Sequence, residues 1–286
     1  MKRVLITGAN GQLGKEIACV DFDAETLLIF ADRNTLDISD IDAVHAYFKE
    51  QKFDIIVNCA AYTAVDKAES EQTECYAINE TGARNLAEVC ALYNSFLIHI
   101  STDFVFDGTS PLLLNEDDGV NPLSVYGASK LAGERAITAA TNRFIVIRTS
   151  WLYSSFGANF VKTILRLCAE KPMLNIIADQ IGTPTYAADL AQFIAQLIMT
   201  DNLQNHTGIY HFSNEGVASW YDFAISIRDI AGLETPIFPI ETFQYPTPAT
   251  RPRFSVMNKK KVKDSFGFSI PYWRDSLEVC IKKIKQ

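Results

Sequence analysis

The sequence predicts an α/β fold built on a doubly wound parallel β-sheet. In the first half of the chain, five short apolar runs rich in β-branched residues alternate with amphipathic stretches: 4–6, 27–31, 55–57, 96–100 and 144–147. Runs this short and continuous are typical of strands that are buried on both faces. The stretches between them have the length and spacing of crossover helices, most clearly at 40–51, 71–92 and 124–140. This alternation predicts a parallel sheet with helices on both sides.

The second half of the chain has a looser pattern. Eight of the ten prolines lie after residue 150, and proline interrupts both helices and interior strands. Within this half, the segment 185–199 has apolar residues at helical spacing and is expected to pack back on the sheet. We therefore predict a main domain over 1–150, with a returning segment near 174–200, and a smaller α/β substrate-binding cap formed by 151–173 and 201–286.

Composition and charge narrow the classes of function. The chain has 286 residues, of which 48% are apolar and 21% charged, as in ordinary globular enzymes. The formal net charge of −8 argues against nucleic acid or an anionic membrane as a partner. The six cysteines form no Cys-x-x-Cys pair and have no histidine at zinc spacing. No secretory signal core and no apolar window of about 18 residues is present, so we expect a reduced, cytoplasmic protein.

A glycine-rich turn follows the first apolar run. Gly8, Gly11 and Gly14 are spaced three apart at the junction between the first strand and the first helix. Glycine is needed there because the backbone turns tightly and a pyrophosphate must approach it closely. The helix N-terminus then offers free N–H groups to the phosphates. In this strand–turn–helix context, the pattern predicts a Rossmann-like dinucleotide-binding domain over 1–150.

The residues after the second strand concern the choice of cofactor. Asp32 is placed to accept hydrogen bonds from the adenosine ribose, which favours NAD, whereas Arg33 can hold the additional phosphate of NADP. Both residue types are present, so NADH and NADPH both stay open. Asp37 and Ile38 follow where the chain is expected to pass under the adenine.

Tyr126 and Lys130 are the candidate catalytic pair. They are four residues apart in a predicted helix, which puts both side chains on one face, one turn apart. A tyrosine with a pKa of about 10 needs help to exchange protons near neutrality, and a nearby ammonium stabilises tyrosinate. Thr102 comes just after the fourth strand run, at the edge of the sheet where ligands bind, and can donate a second hydrogen bond to a carbonyl oxygen. The three residues predict a carbonyl reductase.

Several longer motifs resemble the extended short-chain dehydrogenase/reductase family, and within it the sugar-nucleotide reductases. The similarity covers nearly the whole chain and rests on six stretches: 60–69, 101–108, 121–127, 148–151, 179–185 and 245–252. It implies NADPH- or NADH-dependent reduction of dTDP-4-dehydro-6-deoxy-L-mannose to dTDP-L-rhamnose, with Tyr126 as the general acid. The partner implied is a nucleotide sugar, and the implied assembly is a monomer or homodimer.

The resemblance also implies roles for individual residues. Gly11, Gln12 and Leu13 would contact the pyrophosphate, and the nicotinamide side would be lined by Ala61, Tyr62 and Thr63. The sugar would be held by four residues: Thr102, Asp103, Trp151 and Arg251.

The sequence departs from the family pattern at two positions, and it lacks part of a metal site that some family members have. Phe104 and Tyr62 stand where the family often has tyrosine and histidine, and neither change removes a catalytic group. Some family members dimerise through a Mg²⁺ site built from glutamates. Glu16 and Asp189 lie near the corresponding places, but no C-terminal glutamate matches, which argues against a metal-bridged dimer.

Three other kinds of protein share these features. Sugar-nucleotide dehydratases carry a glutamate where Phe104 stands, and phenylalanine cannot transfer protons, which argues against dehydration. Another nucleotide-sugar 4-ketoreductase or an epimerase would use the same tyrosine and lysine. A non-catalytic regulatory subunit, like the beta subunit of methionine adenosyltransferase, shares the fold and binds a dinucleotide without turnover.

Overall fold

Twelve strands and eleven α-helices make up the computed structural model, which describes residues 1–286. In chain order the strands are β1 (Lys2–Thr7), β2 (Thr26–Ala31), β3 (Ile55–Asn58), β4 (Phe96–Thr102), β5 (Phe144–Thr149), β6 (Leu152–Tyr153), β7 (Leu174–Ile177), β8 (Ile181–Gly182), β9 (Thr185–Tyr186), β10 (Gly208–His211), β11 (Ala218–Ser219) and β12 (Ile237–Ile240). The helices are α1 (Gln12–Ile17), α2 (Ile41–Glu50), α3 (Val65–Ala68), α4 (Gln72–Tyr76), α5 (Gly82–Tyr93), α6 (Val125–Ala140), α7 (Phe160–Glu170), α8 (Ala187–Met199), α9 (Trp220–Ala231), α10 (Lys260–Phe266) and α11 (Trp273–Ile284).

Six parallel strands form the central sheet in the order β10-β5-β4-β3-β1-β2. The predicted doubly wound α/β fold is therefore confirmed, and each of the five predicted apolar runs lies in one of the strands β1 to β5. The sixth strand, β10, was not predicted. It extends the sheet beyond β5, although its residues belong to the part of the chain expected to form the cap.

Alternate residues of the buried strands face two separate cores. In β1, Val4 and Ile6 pack in the core beneath α1 and α8, whereas Leu5 packs in the core beneath α2 and α5. All three side chains are fully buried, and each such burial stabilises the fold by about 2 kcal/mol. Because both faces are covered, the strands are continuously apolar, which is the pattern that made them visible in the sequence.

The single helix predicted over 71–92 is interrupted. The structure has α4, then a π-helical segment at Ala77–Thr81, then α5. In the π segment, the Asn79 amide donates to the Tyr62 carbonyl and accepts from the Tyr62 N–H, at 3.1 and 2.9 Å. The wider turn thus directs a buried amide to the loop that follows β3. One extra residue in a turn leaves the apolar spacing of the flanking helices intact, so periodicity does not reveal it.

The second half of the chain contributes three two-stranded ribbons and a third core. The ribbons pair β11 with β8, β12 with β7, and β6 with β9. The third core contains residues of α7, α9 and α11. The predicted helix at 185–199 is α8, which packs on α1 under the central sheet. The division into domains stays a prediction, and β10 lies in the large sheet although it falls outside the returning segment near 174–200.

All six cysteines are free thiols. None of the helices is both long enough and apolar enough to span a membrane.

Candidate active site

The candidate site lies where the strand order reverses between β1 and β3. Ligands of open α/β sheets bind outside the carboxyl ends of the strands at such a switch point. Two cavities open there, of about 360 Å³ and about 620 Å³. They share four lining residues, so together they form one long cleft: Asn10, Gly11, Cys59 and Ala61.

The glycine-rich turn forms the middle of this cleft. Gly8 has a φ of +65°, and a Cβ atom there would lie 2.6 Å from the Ala60 backbone nitrogen. Only glycine fits, because both the conformation and the close approach of the loop after β3 exclude a side chain. Helix α1 begins after Gly11 without a side-chain cap, which leaves its first N–H groups free to bind an anion.

The smaller cavity has the features of an adenosine site. Asp32 accepts hydrogen bonds from Asn10 Nδ2 at 2.8 Å and from the Thr35 N–H at 2.9 Å, and the bonds to Thr35 lower its pKa. Arg33 is exposed at the rim and pairs with Glu74 at 3.0 Å. Apolar and acidic walls complete this cavity, contributed by Leu36, Asp37, Ile38 and Ile78.

The larger cavity brings Tyr126, Lys130 and Thr102 together. Tyr126 lies in the first turn of α6, which begins after Ser124, whose hydroxyl accepts from the Gly127 N–H at 3.2 Å. The Phe104 ring packs edge-on against Tyr126, with ring centroids 5.7 Å apart. The N-cap and this aromatic contact therefore fix where the phenol lies.

Thr102 is the last residue of β4, Asp103 follows it, and both line the same cavity. The Thr102 hydroxyl donates to Asp103 Oδ1 at 3.1 Å and accepts from the Phe104 N–H at 3.2 Å. Asp103 is buried, and its Oδ2 atom has no hydrogen-bond partner within the protein. Burial raises the pKa of Asp103 to about 6. Asp103 lines the larger cavity beside Thr102, while its Oδ2 atom is enclosed by protein.

The electrostatics of the Tyr126–Lys130 pair differ from the sequence-based expectation. Burial raises the pKa of Tyr126, and a hydrogen bond with Thr102 opposes that shift. Lys130 Nζ instead donates to the Ile100 carbonyl at 2.6 Å and lies 3.2 Å from His99 Nε2. Burial lowers the pKa of Lys130 to about 8. In this structure it is therefore Lys130, rather than Tyr126, whose pKa is brought towards neutrality.

An aromatic wall bounds the larger cavity on the side of the second half of the chain. Trp151 and Trp220 stack with ring centroids 3.7 Å apart, and Phe160 packs on Trp220 at 4.6 Å. Trp151 has a φ of +48°, which is unusual for a bulky residue and occurs where surrounding packing imposes it. Sequence reasoning singled out Trp151 and missed Trp220 and Phe160, because no motif links residues so far apart in the chain.

Arg251 crosses from the second half of the chain to the dinucleotide side. Its guanidinium donates to both carboxylate oxygens of Asp66, at 3.1 and 2.8 Å, while also lining the larger cavity. This bidentate pair joins the loop around 245–252 to α3 at the mouth of the cleft.

The predicted site residues thus divide between the two cavities, with two exceptions. Gly14 lies beneath the turn, where a Cβ atom would be 2.7 Å from the Gly8 carbonyl oxygen. Tyr62 lines neither cavity, and its hydroxyl donates to Glu71. The cofactor contacts expected of these two residues stay predictions.

Glu16 and Asp189, which lie near the places of the family's metal site, form hydrogen bonds with other side chains. The Glu16 carboxylate accepts from the Ser154 hydroxyl, and Asp189 Oδ2 accepts from Asn214 Nδ2 at 2.6 Å. No group of three or more His, Cys, Asp or Glu side chains is arranged to hold a metal ion.

The whole chain matches one protein family. The model of that family, described as the RmlD substrate binding domain, matches residues 1–286. The chain belongs to this family. It is 41% identical over 288 residues to the dTDP-4-dehydrorhamnose reductase of Aggregatibacter actinomycetemcomitans, covering 97% of this chain and 98% of that relative. Family membership confirms the resemblance inferred from the sequence motifs.

Solved structures of family members agree with the fold described above. A dTDP-4-dehydrorhamnose reductase of Clostridium acetobutylicum superposes with a TM-score of 0.95 at 38% identity, covering 99% of this chain and 100% of that one. The enzyme of Bacillus anthracis, solved in complex with NADP, gives a TM-score of 0.94 at 40% identity, with the same shares covered.

Proposed function

We propose that this protein reduces dTDP-4-dehydro-6-deoxy-L-mannose to dTDP-L-rhamnose with NADPH or NADH. One observation carries the proposal: Tyr126, Lys130 and Thr102 line the deep cavity that continues a dinucleotide-shaped cleft. The chain also belongs to a family whose members, at 35–41% identity to it, include dTDP-4-dehydrorhamnose reductases.

The cleft fits a nicotinamide dinucleotide along its length. Gly8 and Gly11 leave room for a pyrophosphate beside the start of α1, while Asp32 and Arg33 stand at the ribose end. Asp32 suits an unmodified ribose, and Arg33 is the exposed cation available to a 2′-phosphate. When bound, the reduced nicotinamide supplies the hydride. The same cleft serves NADH and NADPH, and their relative affinity depends on these two residues.

The chain's own residues then handle the proton. Tyr126 donates its phenolic proton to the C4 oxygen of the sugar, and Thr102 positions that oxygen. The phenolate left on Tyr126 is unfavourable in a buried site, since burial raises the pKa of this phenol. Lys130, whose pKa is about 8, returns a proton to it more readily than a solvated lysine would.

The sugar nucleotide is held by the wall opposite the dinucleotide. We propose that Asp103 accepts a hydrogen bond from a sugar hydroxyl, because the residue lines the larger cavity beside Thr102. Trp151, stacked on Trp220, offers a flat apolar face, and Arg251 offers a cation at the cleft mouth. Phe104 lies beside Tyr126 and has no ionisable group, so it cannot act as the acid or base that a glutamate supplies at this position in dehydratases.

The activity is tested by product identification. Purified protein is incubated with NADPH or NADH and a panel of nucleotide 4-keto-6-deoxysugars, and products are assigned by NMR. Formation of dTDP-L-rhamnose supports the proposal. Reduction of a different sugar, or epimerisation without loss of NADPH, identifies another branch of the family. Tight dinucleotide binding with no turnover on any sugar would favour the regulatory-subunit alternative.

The proposal also predicts the ligand, the cellular location and the oligomeric state of the protein. We expect a nucleotide sugar as the partner of the cleft, a cytoplasmic location, and a monomer or homodimer that needs no bridging metal. Size-exclusion chromatography with light scattering, with and without EDTA, measures the last of these.

A further inference from the structure

A buried row of polar side chains leads from β1 to Lys130. The Thr7 hydroxyl lies 2.7 Å from Asn58 Oδ1, Asn58 Nδ2 lies 3.0 Å from His99 Nδ1, and His99 Nε2 lies 3.2 Å from Lys130 Nζ. Each of these four residues is at most 1% exposed. The row crosses three neighbouring strands at the floor of the cleft, and only its last member lines the cavity.

The direction of these hydrogen bonds is fixed at Asn58. The Ala60 backbone N–H donates to Asn58 Oδ1 at 3.1 Å, and a backbone N–H can only donate. Nδ2 is therefore the atom that faces His99, and it donates to Nδ1. Since Nδ1 accepts, a neutral His99 carries its proton on Nε2. Burial lowers the pKa of His99 well below its usual value, which keeps the ring neutral.

The Nε2–H group consequently points at the Lys130 amine. A neutral amine accepts this hydrogen bond, whereas an ammonium presents a second donor to it. Lys130 keeps one donor bond in either state, to the Ile100 carbonyl. His99 on β4 thus disfavours the ammonium form of Lys130, in addition to the effect of burial.

Other titratable groups near Lys130 act in the opposite direction. Glu134, Cys75 and Cys59 each favour the ammonium and raise the pKa of Lys130. The Glu134 carboxylate is already bound by Arg148, at 2.7 and 3.0 Å, in a pair that is nearly fully buried. His99 is the side chain that contacts Nζ directly from the neighbouring strand.

We propose that His99 is a positioning residue whose Nε2–H group holds the Lys130 amine in place and stabilises its neutral form. This inference rests on the proposed reductase function. After Tyr126 has protonated the C4 oxygen, an N–H bond of Lys130 breaks and an O–H bond forms on the Tyr126 phenolate. The neutral amine that results accepts the His99 hydrogen bond, and it regains a proton from water in the cavity between turnovers.

Two substitutions separate this role from a purely structural one. In His99→Asn, Oδ1 replaces Nδ1 and still accepts from Asn58, but the side chain is too short to reach Nζ. In His99→Gln, the amide reaches the position of Nε2 and can donate to Nζ. Both variants retain a buried polar group with a partner, so thermal melting and NADPH binding are used to verify that they fold.

The pH profile of kcat/KM is the first measurement. We expect the alkaline limb of His99→Asn to move up by about one pH unit, because Lys130 then keeps its proton longer. The turnover of His99→Asn near neutrality is expected to fall by about 10-fold, because a more basic Lys130 returns a proton to Tyr126 less readily. The profile of His99→Gln is expected to stay closer to that of the wild type. An alkaline limb in His99→Asn that coincides with the wild-type limb would overturn the proposal.

The second measurement does not depend on any substrate. Long-range ¹H–¹⁵N NMR of the histidine rings reports the tautomer directly, and the chain has only four histidines. The signals missing in His99→Asn identify His99. We expect a neutral ring protonated on Nε2 from about pH 6 to about pH 9. A proton on Nδ1 would overturn the inference, even if the wild-type protein reduced no sugar nucleotide.

Discussion

At the scale of single residues, Asp103 is a buried acid whose ionised form costs stability. Its side chain is buried, one carboxylate oxygen has no partner, and burial raises its pKa to about 6. An ionised buried carboxylate opposes folding unless it is fully hydrogen-bonded. Asp103 lines the larger cavity, so we relate this cost to the sugar contact proposed for the residue.

This view predicts the pH dependence of Asp103→Asn. The folded-state pKa of Asp103 lies above its unfolded value, so the free energy of unfolding decreases as the pH rises from about 4 to about 6. The loss is on the order of 2–3 kcal/mol at higher pH. Asparagine does not ionise, so the variant should be more stable than wild type near pH 8 and less active. Denaturant unfolding near pH 5 and pH 8 measures the difference.

The matched control for this prediction is Asp107→Asn. Asp107 is only partly buried, and hydrogen bonds from Thr109 lower its pKa, so removing its charge should give no gain in stability near pH 8. An Asp103→Asn variant that is less stable than wild type near pH 8 would contradict the account.

Sequence reasoning reached many site residues because each lies in a local motif. Gly11 comes just before α1, Thr102 ends β4 and Tyr126 lies in the first turn of α6, and the structure places all three on the cleft. Trp220 and His99 were missed for different physical reasons. Trp220 reaches the cavity only through tertiary packing, and His99 lies within an apolar strand, where a lone histidine carries no local signal.

At the scale of elements, helix α6 depends on two close backbone contacts. A Cβ atom on Gly127 would lie 2.3 Å from the Phe104 carbonyl oxygen, and one on Gly133 would lie 2.2 Å from the Asn79 carbonyl oxygen. These contacts let the helix that carries Tyr126 and Lys130 lie directly against the turn after β4 and against the π-helical segment.

We expect Gly127→Ala to impair both stability and turnover. The atom that a new Cβ would meet is backbone, so the first turn of α6 has to move away from Phe104, and overpacking of this kind costs about 1–3 kcal/mol. Because Tyr126 lies in the same turn, kcat should fall by about 10-fold or more. Steady-state kinetics and thermal unfolding measure the two effects.

Gly119→Ala serves as the control, since nothing lies within 4 Å of the position its Cβ would take. It should leave both quantities near the wild-type values. Wild-type kinetics in Gly127→Ala would show that the position of α6 is not restricted in this way.

Strands and helices were predicted well where burial gives their apolar residues a regular spacing, and poorly where it does not. The strands β1 to β5 and helices α2, α6 and α8 follow from apolar patterns. The π-helical segment and β10 do not, because one is a single-turn irregularity and the other is a four-residue strand with a mixed burial pattern.

At the scale of the whole molecule, side chains from the second half of the chain close onto the dinucleotide cleft. Asn159 Nδ2 donates to Gln12 Oε1 at 2.9 Å beside the glycine-rich turn. At the cleft mouth, Arg251 pairs with Asp66. These contacts connect the surface proposed to hold the sugar with the surface proposed to hold the dinucleotide.

Asp66→Ala tests whether the pair at the cleft mouth orients Arg251 for the substrate. Both side chains are partly exposed, so the loss of stability should be within about 1 kcal/mol. The freed guanidinium no longer has a fixed position, so KM for the sugar nucleotide should rise by about 10-fold while NADPH affinity is kept. Steady-state kinetics and fluorescence titration measure these quantities.

Glu170→Gln, which removes an exposed ion pair with Arg166 on α7, is the matched control and should leave KM unchanged. An unchanged KM in Asp66→Ala would show that Asp66 does not orient Arg251 for the substrate.

Single-turnover kinetics of Tyr126→Phe test most directly whether Tyr126 supplies the proton. The variant lacks only the phenolic oxygen, so it should fold, bind NADPH with an affinity within about threefold of wild type, and keep the Phe104 contact. With dTDP-4-dehydro-6-deoxy-L-mannose, the rate of NADPH oxidation should fall by ~10²-fold or more. A rate within about threefold of wild type would contradict the assignment of Tyr126 as the acid.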